Sequence, residues 1–75
     1  MVSGLKAEVI TSIGKNIREH RKNHGLTQEK LAEEANCSEK HLSAVENGRL
    51  DNVSIGYLID IATALDIDYM ELLKP

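Results

Sequence analysis

Apolar residues recur along this chain at helical rather than alternating intervals, and the gaps between apolar groups hold cap and stop residues. Val9, Ile10, Ile13 and Ile17 repeat every three or four positions before "NHG" at Asn23 to Gly25 supplies a stop, which predicts a first helix over roughly Ala7 to Lys22. Thr27 is a preferred N-cap, and Leu31, Ala32 and Ala35 share one face of the short second helix it opens, with Glu29 near its positive end. Asn36 is among the few non-glycine residues that readily adopt a left-handed backbone, and Ser38 is a good N-cap. The second helix therefore stops at Ala35 and the third begins at Ser38. The third buries Leu42 and Val45 and ends at Asn47 and Gly48. Ser54 caps a fourth helix with Ile55, Leu58, Ile59, Ala62 and Leu65 as its core stripe. Asp68 and Glu71 form an Asp-x-x-Glu capping box for a fifth, which holds Met70, Leu72 and Leu73.

The predicted class is all-α, with five helices. Two tyrosines, no Phe or Trp, and a single proline at position 75 leave the chain without the strand formers and turn spacing of an all-β domain. The second and third helices meet at a corner of three or four residues, which makes a helix-turn-helix over about 27–46 whose second helix can project from the body. The physical use of such a projection is that the major groove of B-DNA, about 12 Å wide, admits one α-helix.

Composition narrows the setting. Seventy-five residues suit one domain, 1–75, with a thin stability margin that a partner subunit would widen. Hydrophobic residues at 41% and charged residues at 28%, without low-complexity tracts, fit a globular chain. A lone cysteine, Cys37, cannot form an internal disulfide, and no secretory signal or run of about 18 apolar residues is present, so a reducing cytoplasm is expected. No glycine-rich phosphate loop, paired-carboxylate cleft or triad pattern points to an enzyme. His20 and His24 have a spacing able to chelate zinc but no evident third ligand, so no metal or cofactor is expected. Cys37 reads as a packed turn residue rather than a nucleophile, since nothing near it in sequence would activate it.

The runs "LTQEKLAEEANCSEKHLSAVENG" and "VSIGYLIDIATALDIDYMELL" resemble the Cro and phage-repressor type of helix-turn-helix regulator, the XRE family, over Ile13 to Leu73. Asn36 departs from the glycine common there, but asparagine tolerates the same conformation. The resemblance implies a five-helix DNA-binding domain. It places Glu39, Lys40, Ser43 and Ala44 at positions that face base edges, with His41 beside them, able to touch bases or backbone. Lys40 then reads guanine or holds only a phosphate; Glu39 accepts from a cytosine amino group or merely complements the helix end. Ser43 can bond to either kind of base and Ala44 can meet a thymine methyl, or both are small surface residues. Gln28 corresponds to a glutamine that holds a phosphate, alternatively an exposed helix-start residue. Ser38 is a cap that can also touch phosphate. Asn47, Gly48 and Arg49 lie where relatives grip the next phosphate with backbone amides and a basic side chain; the alternative for Arg49 is a solvated loop charge. Arg21 and Glu46 match a structural salt bridge between the first helix and the end of the third.

Charge opposes a generic nucleic-acid binder, because the chain carries a formal −3. Its distribution softens the objection: Gly14 to Arg49 holds seven Lys or Arg against six acids, whereas Leu50 to Pro75 holds five acids and one lysine. A weakly charged DNA face relies on correct contacts and on two subunits acting together. Tyr57, Ile61 and Ala64 form a second apolar row on the fourth helix, with Tyr69 nearby, which predicts a twofold homodimer interface or, alternatively, packing under Met1 to Ile10. These readings point to a dimeric, sequence-specific transcriptional regulator at a palindromic DNA operator. It would be a nucleoid-associated repressor or dual-acting switch, possessing no small-molecule ligand or membrane attachment; phage Cro-like repressors and restriction-modification controller proteins are compatible types. The alternative is a protein-interaction module such as an antitoxin-like subunit.

Overall fold

The computed structural model describes residues 2–75 and contains four α-helices followed by a 3-10 helix. These are α1 (Val2–Asn23), α2 (Gln28–Glu34), α3 (Glu39–Glu46), α4 (Ile55–Leu65) and a 3-10 segment over Tyr69–Leu73. Each N-cap is the residue expected from the sequence: the side chains of Thr27, Ser38 and Ser54 accept from the amides of Lys30, His41 and Tyr57, three positions on. Between α2 and α3 the chain turns through Asn36 at φ 57°, and the amide of Cys37 closes the helix end on the Ala32 carbonyl at 2.9 Å.

Two elements differ from expectation. The first helix begins at Val2 instead of near Ala7; Leu5 and Val9 are exposed there, so the added turn is not held by the core. The fifth segment is a 3-10 helix, not an α-helix, because only five residues separate its caps and an i to i+3 ladder satisfies more backbone groups in so short a run. Its capping box does not form. Asp68 accepts from the Met70 amide at 2.9 Å, while the Glu71 carboxylate pairs with Lys74 at 3.0 Å.

One core holds the elements together. Ile13 and Ile17 from α1, Leu31 and Ala32 from α2, Leu42 and Val45 from α3, and Leu58, Ile61, Ala62 and Leu65 from α4 enclose it, with Leu72 of the 3-10 helix as the last wedge. Asn16 pins that wedge to α1, since its amide donates to the Leu72 and Lys74 carbonyls at 3.0 and 2.6 Å. Gly14 allows α1 to cross the end of α3 at close range. A Cβ there would lie 2.2 Å from the Val45 carbonyl oxygen and 3.0 Å from that of Glu46.

The core stripe of α4 is a correction. Ile61 is fully enclosed, at 0% exposure, and Ile55 and Ile59 are exposed at 56% and 44%. Most residues of this helix are apolar, so the core-facing arc extends through Ile61 instead of through Ile55 and Ile59. Ile61 therefore cannot serve a dimer interface without the core opening. Among the described residues, no helix is long and apolar enough to cross a membrane.

Candidate nucleic-acid interface

The third helix has two unlike faces. Leu42 and Val45 lock it into the core, whereas Glu39, Lys40 and His41 are exposed and Ser43 and Ala44 are half-buried at the margin. Eight residues and one cap suffice to hold it because its inner end carries a polar anchor.

That anchor is Glu46, whose carboxylate is completely buried. Arg21 donates to it through Nε at 2.7 Å and Nη2 at 3.0 Å, Gln28 through Nε2 at 3.0 Å, and Arg18 through Nε at 3.5 Å. Burial alone raises the carboxyl pKa. The hydrogen bonds from Arg21 and Gln28, the Arg21 charge and the further bond from Arg18 outweigh it and hold the group below its ordinary 4.5. Arg21 also donates to the Leu26 carbonyl at 2.8 Å. One guanidinium thus fixes the end of α1, the loop before α2 and the end of α3 in a single arrangement.

Sequence reasoning missed Arg18 and Gly14. Arg18 donates to the Asn47 side-chain oxygen at 2.9 Å, and the Asn47 amide donates to the Ser43 carbonyl at 2.8 Å. The signal for Arg18 was its i, i+3 placement before Arg21, which sets both guanidinia on one face. Gly14 gave no signal, because close approach of two backbones depends on packing distant in sequence.

The loop after α3 is fixed by its own backbone hydrogen bonds. The amides of Asn47, Gly48 and Arg49 bond to the carbonyls of Ser43, Val45 and Ala44 at 3.0 to 3.1 Å, with Gly48 at φ 66°. These donors close the helix, so the exposed Arg49 side chain is the group left free to reach an anion. Gln28 is half-buried and directs one amide hydrogen at Glu46, and the Ser38 hydroxyl caps α3.

Of the four residues assigned to a subunit interface, Ile61 is enclosed, Tyr57 and Ala64 are half-buried against the core, and Tyr69 is exposed. The Tyr57 ring meets the His41 ring edge to face at a centroid distance of 4.7 Å, and its hydroxyl lies 3.7 Å from the Cys37 sulfur. Burial raises the Tyr57 pKa first, with the hydrogen bond and charge of Cys37 and the charge of Glu46 adding to it. His24 turns Nδ1 to within 2.8 Å of the His20 carbonyl oxygen, and no group of three potential metal ligands occurs among the described residues.

Fold and site together define a helix-turn-helix domain of the Cro and phage-repressor type. The family model described as Helix-turn-helix matches residues 17–72, and the chain belongs to that family, whose members here are transcriptional regulators. The uncharacterized HTH-type transcriptional regulator y4dJ of Sinorhizobium fredii is 35% identical over 63 residues, covering 84% of this chain and 80% of that protein. SinR of Bacillus subtilis, an HTH-type transcriptional regulator, is 34% identical over 61 residues, which cover 81% of this chain and 55% of SinR. The chain thus spans about half the length of that relative. Similar crystal structures include the restriction-modification controller protein C.AhdI from Aeromonas hydrophila, at TM-score 0.80 and 38% identity over 84% of this chain and 94% of that one. SinR, the master regulator for biofilm formation, in complex with DNA superposes at TM-score 0.79 and 34% identity, covering 83% and 98%.

Proposed function

We propose that residues 1–75 act as one DNA-binding unit that regulates transcription by binding a palindromic operator in double-stranded DNA as a homodimer, with α3 in the major groove of each half-site. The observation that carries this reading is the division of α3 into an anchored inner face and an outer row of Glu39, Lys40 and His41, with Ser43 and Ala44 at its edge. Lys40 donates to guanine O6 and N7, Glu39 accepts from a cytosine amino group, Ser43 bonds to either kind of base and Ala44 meets a thymine methyl. Gln28 at the start of α2, Ser38 at the cap and the Arg49 side chain hold phosphates on either side of those contacts. The similarity to SinR in complex with DNA supports the DNA-binding reading.

Dimerisation draws on a different surface from the row singled out in the sequence. Ile55 and Ile59 on α4, and Tyr69 and Met70 on the 3-10 helix packed against it, leave apolar side chains exposed. Covering them with the same residues of a second copy gives a self-complementary twofold interface and sets two recognition helices about 34 Å apart. Such a protein works in the cytoplasm at the nucleoid, as a repressor or dual-acting switch at its own promoter, tuned by its concentration and dimerisation. A second reading, a protein-interaction subunit, draws on the same exposed apolar residues among the acids of Leu50 to Pro75, and it predicts sensitivity at Asp60, Asp66 or Asp68.

Fluorescence anisotropy with duplex DNA from upstream of the gene, against scrambled DNA at two salt concentrations, tests the DNA reading. Tight, salt-sensitive binding to the upstream duplex is the expected result. Equal binding to both duplexes removes the autoregulatory operator, and no binding to either removes the DNA reading and favours the protein partner.

A further inference from the structure

Tyr57 belongs to α4, yet its side chain reaches the helix-turn-helix corner and the outer helix. Its hydroxyl lies 3.7 Å from Sγ of Cys37 in the corner, and its ring meets His41 on α3 at 4.7 Å with the planes 84° apart. That is the edge-to-face arrangement that aromatic quadrupoles favour. The backbone of His41 is fixed separately, through its amide bond to the Ser38 cap at 3.0 Å. His41 is exposed on the outer row of α3, and Tyr57 is half-buried with its body against the core. The contact therefore links a rigid support to a side chain that has no other ring to hold it among the described residues.

We infer that Tyr57 is a positioning residue for operator recognition: it holds the His41 ring in one rotamer. This rests on the DNA-binding reading and extends it, since Tyr57 itself touches no DNA. An exposed histidine samples several rotamers, and ordering it on binding costs affinity. A ring already seated against Tyr57 has lost that freedom in the free protein, so its nitrogens meet a base edge or a phosphate at smaller entropic cost. The thiol contact with the Tyr57 hydroxyl helps fix the ring's position beneath α3.

A double-mutant cycle tests the inference with the full chain and an operator duplex: wild type, Tyr57→Leu, His41→Ala and the pair, with Tyr57→Phe as the conservative variant. Tyr57→Leu should weaken operator binding about 2- to 10-fold, the range of an aromatic pair, leave scrambled-duplex binding nearly unchanged, and add little once His41 is alanine. Tyr57→Phe keeps the ring contact and should bind within about twofold of wild type. In the free protein, the His41 ring protons should show a ring-current displacement and cross-peaks to the Tyr57 ring, both lost in Tyr57→Leu. Losses that multiply in the double variant overturn the inference and leave the DNA reading standing; a chain that binds no duplex overturns both. Should Tyr57→Leu fail to fold, the wild-type spectrum decides, and His41 protons without displacement or cross-peaks overturn the inference.

Discussion

Replacing Glu46 by alanine removes one acceptor and strands three donors. Arg21, whose side chain is 11% exposed, loses both of its bonds to the carboxylate, and the half-buried Gln28 loses the bond to Oε1. Arg18, 40% exposed, turns to solvent at little cost. Breaking a buried ion pair by deleting one partner costs about 3 to 5 kcal/mol when burial is complete, and the partial hydration of Arg21 reduces this to about 2 to 4 kcal/mol. A chain of this size has roughly 4 to 11 kcal/mol in total, so about a fifth or more of its stability should vanish, and Tm should fall by about 8 to 32 °C. Urea denaturation followed by circular dichroism measures the loss. Replacing both partners, Arg21→Met with Glu46→Leu, should recover about half of it, because the penalty lies in the uncompensated guanidinium. The pH dependence has a definite sign. The folded carboxyl pKa lies below the unfolded one, so its stabilisation is fully present above about 4.5 and is lost as pH falls through the depressed folded value. The stability gap between wild type and Glu46→Gln should therefore narrow on acidification. A Glu46→Ala loss under about 1 kcal/mol, or a gap that widens in acid, would refute the account of Glu46 as the polar anchor of α3.

Other consequences are equally direct. Gly14→Ala places a methyl group 2.2 Å from the Val45 carbonyl oxygen, so α1 and α3 must separate, and a loss of about 2 kcal/mol or more is expected in the same denaturation assay despite alanine's better helix propensity. Lys40→Ala should relax specificity at one base pair by about 1 to 3 kcal/mol, whereas Arg49→Ala should weaken all sequences alike and reduce the salt slope by about one, both read by anisotropy. Ile59→Glu should shift sedimentation toward monomer while the helical signal persists. Ile61→Glu should instead unfold the chain, because that side chain is enclosed.

Local chemistry was legible in the sequence where its causes are local. Thr27, Ser38, Ser54 and Asp68 each act on an amide within three residues, and Asn36 turns the chain because its own backbone tolerates a positive φ. The apolar period placed Leu31, Leu42, Val45 and Leu58 in the core for the same reason. The residues lost to sequence reasoning answer to partners far along the chain. Whether α4 turns Ile61 or Ile59 inward depends on which arc α1 and α2 cover, and its apolar residues extend past both edges of that arc. Gly14 matters only because α3 ends against it, Asn16 because the last carbonyls return to α1, and Tyr57 because α4 brings it under His41. The sequence by itself determined α2, α3 and α4, their N-caps and the corner between α2 and α3, since those follow from propensity and short-range hydrogen bonds. Tertiary structure alone decided which faces close on one another and which amides remain free, because burial is a property of the assembled surfaces and not of any one helix.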